Sequence, residues 1–527
     1  VTDKQWHLED VTEMKSGGIV FMLLSGPLTH GAAGLANSFI ERASSLSEAG
    51  WTVTILVDVW QVDLKWHVEA LVDSGRLHPK VAVRNLYFDL AAQAGLPDGY
   101  MESQFSSPLL SDYIGRLDAR YDDSNGQVVR YYDKHLYRYF GYVDERSTPL
   151  FLDELIDKKR VKRLYFSPGG RLIRGTGYRN ESPVWDEFYN ESGVVYCRIR
   201  YGSDEKVATV TVREGRSRYR NLNRDESLLG FWLSSCFEIG TEDFVICEYA
   251  FKFSDLQEFA RKSGVPTIYT LHSSHLGPPH GAGAPIKPEL GPTFHNAEDM
   301  DAIVVLTPQQ RFDIRKRFPE LQNVHTIPHA APQPLKVSRT PVAARETGLV
   351  VVVGRLDQVK GQRLVIEKFS RLLERHPGAR LELWGRGNDE GNIRRLISEQ
   401  SLSDSVSLKG FTNDTSTVFE RAEIALFPSS FEGQSLTLME AMRAGCVPVC
   451  FDFKYGARML VDDLENGIIV ERGDVVDMID SACVLLDDPT SLASMSKASR
   501  VKMAMFSKDR LVRDWENLFF QLSASRK

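Results

Sequence analysis

Leu349-Val350-Val351-Val352-Val353-Gly354-Arg355-Leu356-Asp357-Gln358-Val359-Lys360-Gly361 is the stretch that decides the fold. Five consecutive apolar residues, four of them β-branched, predict a strand buried on both faces, as in a parallel sheet. Glycine turns the chain, and a helix expected from Lys360-Gly361 onward completes a strand–loop–helix unit. In open α/β sheets ligands bind beyond the carboxyl ends of the strands, and there stand Arg355 and Lys360. A guanidinium forks two oxygens, an ammonium adds a mobile point charge, and a helix start offers unpaired N–H groups to an anion. The pattern suits a diphosphate. A surface arginine and lysine pairing with Asp357 is the plainer alternative.

Downstream, buried strands are expected at Arg380–Trp384, 405–408, Ile424–Phe427 and 447–450. The third leads into Phe431-Glu432-Gly433-Gln434-Ser435-Leu436-Thr437-Leu438-Met439-Glu440. Glu432 falls in a loop and Glu440 about one and a half turns inside the following helix, so both can point into one cleft at different depths. The N–H groups of Gln434, Ser435 and Leu436 mark a second helix start suited to phosphate. Two cations and two carboxylates on such junctions suit a nucleotide-diphosphate sugar, the cations for its diphosphate and the carboxylates for hydroxyls. Alone, a pair of glutamates eight residues apart has little specificity.

Upstream, 18–25 reads as a buried strand, 26–34 as a Gly-containing loop, 35–49 as a helix and 51–57 as another strand. The pattern lapses near Gly115 and resumes with strands at Phe244–Cys247, Thr267–Leu271 and 302–306. Between them the grammar changes. Tyr121-Asp122-Asp123-Ser124-Asn125-Gly126-Gln127-Val128 reads as strand, Asn-Gly turn, strand, and related phrases recur at 166–172 and 189–196. This predicts an inserted antiparallel β module with 22 Lys and Arg against 18 Asp and Glu. Arg213, Arg216, Arg218, Arg220 and Arg224 are expected along one extended segment that suits an anionic polymer. The three prolines of 332–347 suggest a linker, and 509–522 a helix returning to the first domain.

The expected organisation is α/β: a Rossmann-like domain at 16–115 and 229–335, the β module at 116–228, a second Rossmann-like domain at 336–508, and a C-terminal helix at 509–527. Its size, 527 residues with 42% hydrophobic, suits two or three domains. The net charge of −7 gives no global nucleic-acid signature. No apolar run reaches the ~18 residues of a spanning helix, and the start lacks the apolar core of a signal peptide, so an intracellular protein is expected. Six cysteines without a CxxC pair read as buried free thiols.

Gly354-Arg355…Lys360-Gly361, Glu432…Glu440 and the loop near Gly31–Gly34 together resemble the retaining GT-B glycosyltransferases of family GT4. Phe451-Asp452-Phe453-Lys454-Tyr455-Gly456, Glu465-Asn466-Gly467 and the β insert resemble two subgroups more closely. These are the Gram-positive poly(ribitol- or glycerol-phosphate) α-glycosyltransferases of wall teichoic acid and the related Ser-rich adhesin α-N-acetylglucosaminyltransferases. The resemblance implies a GT-B fold, two Rossmann-like domains facing a cleft, and a UDP-N-acetylglucosamine or UDP-glucose donor. It implies that Arg355 and Lys360 hold the diphosphate, Glu440 the ribose diol and Glu432 the 3- and 4-hydroxyls of the sugar. His272, after strand Thr267–Leu271, would face the transferred sugar. Gly34, and Ala33 where the subgroup has a second glycine, would lie near the diphosphate, with Gly31 an alternative. A polyol-phosphate polymer or a Ser/Thr-rich protein would be the acceptor, and the insert would serve trimer assembly or recognition. Attachment at the inner face of the membrane is compatible with this.

No metal is expected to be required. Asp299-Met300-Asp301 precedes its strand and reads as helix termination, and His272, His275, His280 and His295 lie without Cys or clustered carboxylates. Two rivals stand beside the transferase. A glycosidase using Glu432 and Glu440 would give no reason for the diphosphate cations. A non-catalytic partner subunit would have lost the charged donor residues that this chain keeps.

Overall fold

In the computed structural model, Val20–Leu24 is buried at every position and forms an interior strand of a seven-stranded sheet. The structure describes residues 18–31, 34–94, 108–121, 128–134, 136–143, 149–167, 169–215, 218–223, 226–249, 252–281, 283–295, 297–332 and 345–525. Ala33, the Asn125-Gly126 turn, Arg216, Arg224 and most of the expected linker lie outside the described residues.

The first sheet runs in the order Val324–Thr326, Ala302–Val305, Thr267–Leu271, Phe244–Cys247, Val20–Leu24, Val53–Val57 and Ala82–Asn85. Every pairing is parallel. Such strands need crossovers, and helices such as Leu35–Glu48 and Phe253–Ser263 supply them. The second sheet is also all parallel, in the order Val406–Gly410, Arg380–Trp384, Leu349–Val353, Ile424–Phe427, Val447–Phe451 and Ile468–Val470. Two doubly wound sheets with separate cores give the GT-B architecture.

Ten antiparallel strands, from Asp118–Tyr121 to Arg218–Asn221, lie in chain order in one sheet between the halves of the first domain. Its near strands share a core with that domain: Phe188, Tyr196, Ile199 and Val212 pack with Leu86, Trp232 and Tyr269. Its far strands build a small core of their own around Val129, Leu152, Leu164 and Phe166.

Helix Lys508–Ala524 follows the second domain in sequence but buries Leu511, Trp515, Leu518 and Phe519 in the core of the first, beside Phe39, Trp51 and Phe244. Phe519 stacks on Phe244 with ring centroids 4.5 Å apart. Where the chain crosses between the domains in each direction, Ala331 N–H donates to Phe506 C=O at 2.8 Å.

Candidate active site

Asp357 organises the loop that follows strand Leu349–Val353. Its Oδ1 accepts the Lys360 N–H at 3.0 Å and its Oδ2 accepts Arg355 Nε at 2.5 Å. The Arg355 side chain is 70% exposed, so its guanidinium can swing to an incoming anion with little loss of packing. Lys360 is much less exposed and turns to the neighbouring loop, with Nζ 2.5 Å from Glu432 Oε1. Gly361, at φ 69°, caps helix Gln362–Arg375, and a Cβ there would lie 2.4 Å from Pro428 O. Only glycine lets these two loops touch.

Glu432 is held by its backbone as well: its N–H donates to Lys454 C=O at 3.0 Å, and Tyr455 N–H donates to its carbonyl at 2.9 Å. Across the domain boundary, Asp313 Oδ2 accepts from Lys454 Nζ at 2.6 Å and Tyr455 Oη at 2.9 Å. Phe431 stacks on His280 with centroids 3.9 Å apart. A Cβ on Gly433 would come within 2.0 Å of His272 O. Buried Gln434 accepts the His329 N–H at 2.7 Å through Oε1. The loop carrying Glu432 belongs to the second domain, yet the first domain meets it at Phe431, Gly433 and Gln434 and holds the adjoining loop at Lys454 and Tyr455.

Helix Leu436–Ala444 starts at Ser435, which makes no side-chain cap, and places half-buried Glu440 in its second turn. Thr415 Oγ1 donates to Glu440 Oε2 at 3.0 Å. Burial pushes the Glu440 carboxyl up to about 7 against the Thr415 hydrogen bond, with help from the charge of Glu41. Glu41 itself, on helix Leu35–Glu48, is pushed up to about 7 by burial, against the opposing charges of Lys508 and Arg443. Gly34 is exposed at the start of that helix, with φ 62°. Thus Lys360, Glu432, Gly433, Gln434 and His272 come together directly, whereas Arg355 points to Asp357 and solvent and Glu440 sits with Thr415.

His272 immediately follows strand Thr267–Leu271, and Glu248 immediately follows the adjacent strand Phe244–Cys247. Parallel pairing sets the two side by side, with His272 Nε2 2.6 Å from Glu248 Oε2. Glu248 Oε1 accepts from Arg42 Nη2 in an ion pair with both side chains almost wholly buried. Burial alone would push the Glu248 carboxyl up, but Arg42 and His272 outweigh it and hold the carboxyl below its usual range. The other ring nitrogen, Nδ1, lies 3.4 Å from Nε2 of His329, whose ring burial keeps neutral. Ser25, Asp58 and Lys252 extend this polar edge: Asp58 Oδ2 accepts from Ser25 Oγ at 3.0 Å and lies 3.2 Å from Lys252 Nζ. The sequence reading missed Arg42, Glu248, Asp313 and His329. A charged residue directly after a buried strand was the one available signal, and it applied to Glu248.

Other expectations find structural partners. Asp301 accepts the Thr267 N–H at 2.8 Å, and Asp299 accepts from Gln257 at 2.9 Å. His280 and His295 each bond a backbone carbonyl, at 2.8 and 2.7 Å. Burial pushes His275 down to about 4, and it stacks on Tyr455. The cysteines are free, five buried and Cys236 half-buried. The basic stripe expected in the insert needs correction. Arg213 and Arg218 lie on two strands of a hairpin rather than on one extended segment. Arg213 is buried, donating to Gly215 C=O at 3.1 Å, and Arg220 is paired with Glu214 and Glu226, both at 2.6 Å.

Residues 338–502 match the family model described as "Glycosyl transferases group 1". The chain is 23% identical over 506 residues to the poly(ribitol-phosphate) alpha-N-acetylglucosaminyltransferase of Staphylococcus aureus, covering 95% of this chain and 99% of that protein. It is 23% identical to the poly(glycerol-phosphate) alpha-glucosyltransferase of Bacillus subtilis, over 94% of this chain and 74% of that one. Among solved structures, a mutant of S. aureus TarM in complex with Fondaparinux, alpha-GlcNAc-glycerol and UDP superposes with a TM-score of 0.80 at 20% identity, over 95% of this chain and 99% of that one. The pneumococcal O-GlcNAc transferase GtfA in complex with UDP and GlcNAc gives 0.67 at 17% identity, over 96% and 99%.

Proposed function

We propose that this chain, a glycosyltransferase of GT-B fold with a group 1 domain at 338–502, moves glucose or N-acetylglucosamine from a UDP-sugar to a hydroxyl of a polyol-phosphate polymer, with retention and in α linkage. The observation that carries this reading is the meeting of Lys360, Glu432, Gly433 and His272 where the carboxyl ends of two parallel sheets face each other. Arg355 swings from Asp357 onto the diphosphate, Lys360 leaves Glu432 for it, and Glu440 takes the ribose diol. Glu432 then accepts from the sugar hydroxyls.

The bond from the anomeric carbon to the β-phosphate oxygen breaks while a bond from that carbon to the acceptor oxygen forms on the same face. The acceptor's proton passes to the departing phosphate oxygen, so UDP leaves without a protein nucleophile. Negative charge grows on the diphosphate, and fixed cations aimed at it lower the barrier. Glu432 orients the sugar. The two cations and the helix starts at Gly361 and Ser435 supply the charge that a metal would otherwise bring.

Similarity over nearly the whole length of the S. aureus enzyme favours a ribitol- or glycerol-phosphate acceptor over a Ser/Thr-rich protein. The ten-stranded insert is proposed as the surface for self-assembly into a trimer, with the reaction in the cytoplasm at the inner face of the membrane. No helix among the described residues is long and apolar enough to cross a membrane. Incubation with UDP-glucose or UDP-N-acetylglucosamine and purified poly(ribitol-phosphate), poly(glycerol-phosphate) or a Ser-rich polypeptide tests the reading. Sugar incorporation into a polyol polymer is expected. Incorporation only into polypeptide would overturn the acceptor, and no consumption of either donor would overturn the activity.

A further inference from the structure

Arg42 is one of the largest fully enclosed side chains of the described structure, and no donor-site role explains it. A charge placed there costs several kcal/mol unless it is paired. Its guanidinium lies 4.9 Å from the ring of Trp515, itself buried on the C-terminal helix, and 5.9 Å from that of Phe39, and its charge is paired with the carboxylate of Glu248. That carboxylate has a second oxygen, and His272 Nε2 meets it at 2.6 Å. Ionised Glu248 can only accept, so the network assigns the proton to His272 Nε2. Three elements are thereby joined: helix Leu35–Glu48 through Arg42, strand Phe244–Cys247 through Glu248 and strand Thr267–Leu271 through His272.

We propose that Glu248, held by Arg42, is the positioning residue of His272: it fixes the imidazole in one tautomer and one orientation where the His272 backbone meets Gly433 of the donor loop. This role rests on the proposed function, in which His272 faces the transferred sugar. Gly433 is seated on the His272 carbonyl so closely that any side chain would collide, so a turn of residue 272 moves the loop that carries Glu432. The competing explanation is that Glu248 merely balances Arg42.

A pair of variants separates the two. Glu248→Gln keeps an acceptor for Nε2–H but loses the charge. Arg42→Met/Glu248→Leu removes both charges together, a change that buried pairs often tolerate, and leaves His272 without its partner. With UDP-N-acetylglucosamine, UDP-glucose and polyol polymer as substrates, both variants are expected to show kcat lowered by ~10–100-fold. Donor KM should stay near the wild-type value, and the double variant should melt within a few degrees of wild type. Nitrogen-15 NMR of labelled histidine should show one side chain losing its fixed Nε2–H tautomer in the double variant and one histidine signal shifted in Glu248→Gln. A double variant with wild-type kcat would overturn the positioning role, leaving Glu248 as a counter-ion. Should the double variant fail to fold, Glu248→Gln decides: wild-type kcat with an unmoved histidine signal overturns the role. A wild-type protein inert toward both donors would overturn the proposed function and this role with it, whereas an active wild type beside a fully active double variant overturns this role alone.

Discussion

Lys360 Nζ and Glu432 Oε1 stand 2.5 Å apart, a cation from one loop neutralising a carboxylate from another within the same domain. In the proposed donor complex a diphosphate reaching the lysine and a hexose reaching the glutamate would each replace one half of this pair, exchanging one set of charge-assisted bonds for two. Lys360→Ala should lower kcat by ~10²–10³-fold, the scale expected for removing one preorganised donor to developing charge. Glu432→Gln, which can still accept a hydroxyl, should lose less. Initial rates of UDP release, with circular dichroism confirming the fold, check both.

Arg355 is expected to behave differently because its side chain lies mostly in solvent. Arg355→Lys keeps the charge and removes the fork. Calorimetry should show UDP affinity falling by about tenfold, the cost of one charge-assisted hydrogen bond, while the melting temperature stays unchanged.

Glu440 gives the site a pH dependence with a definite sign. Its carboxyl rises from 4.5 to about 7, so the folded protein binds this proton more tightly than the unfolded chain. The stabilisation is complete below about pH 4.5 and is lost as pH climbs through about 7. Affinity for UDP should move oppositely, since the ionised carboxylate is the better acceptor for a ribose diol. Titration calorimetry from pH 6 to 8 should show tighter binding with rising pH, and Glu440→Gln should flatten that slope.

Asp313 ties the two domains together through Lys454 and Tyr455, the residues whose backbone grips Glu432. Burial would raise its carboxyl, but Lys454, Tyr455 and Gln309 outweigh this and hold it below the usual range. Its contribution is therefore present at neutral pH and fades as pH falls below about 4. Asp313→Ala should raise donor KM several-fold and widen the cleft, visible as a larger radius of gyration by small-angle scattering.

The fold was readable because the parallel strands announce themselves: Leu349–Val353 is a run of apolar residues that only a sheet covered on both faces can use. The charged residues of the candidate site could be singled out because each lies within eight residues of its strand end or of its partner. The chain of contacts from Arg42 to His272 could not be. Glu248 and His272 are 24 residues apart and Arg42 is 206 from Glu248, and strand order alone brings them together. The insert was partly readable, since turn phrases at 166–172 and 189–196 mark real hairpins. Its basic stripe was misjudged because sequence shows charge without partners, and Glu214 and Glu226 had already claimed Arg220.

The hydrogen bond from Ala331 to Phe506 ties together the two points at which the polypeptide passes between domains. Two tethers fastened at one place act as a door's knuckle: the halves can swing about it but cannot slide apart.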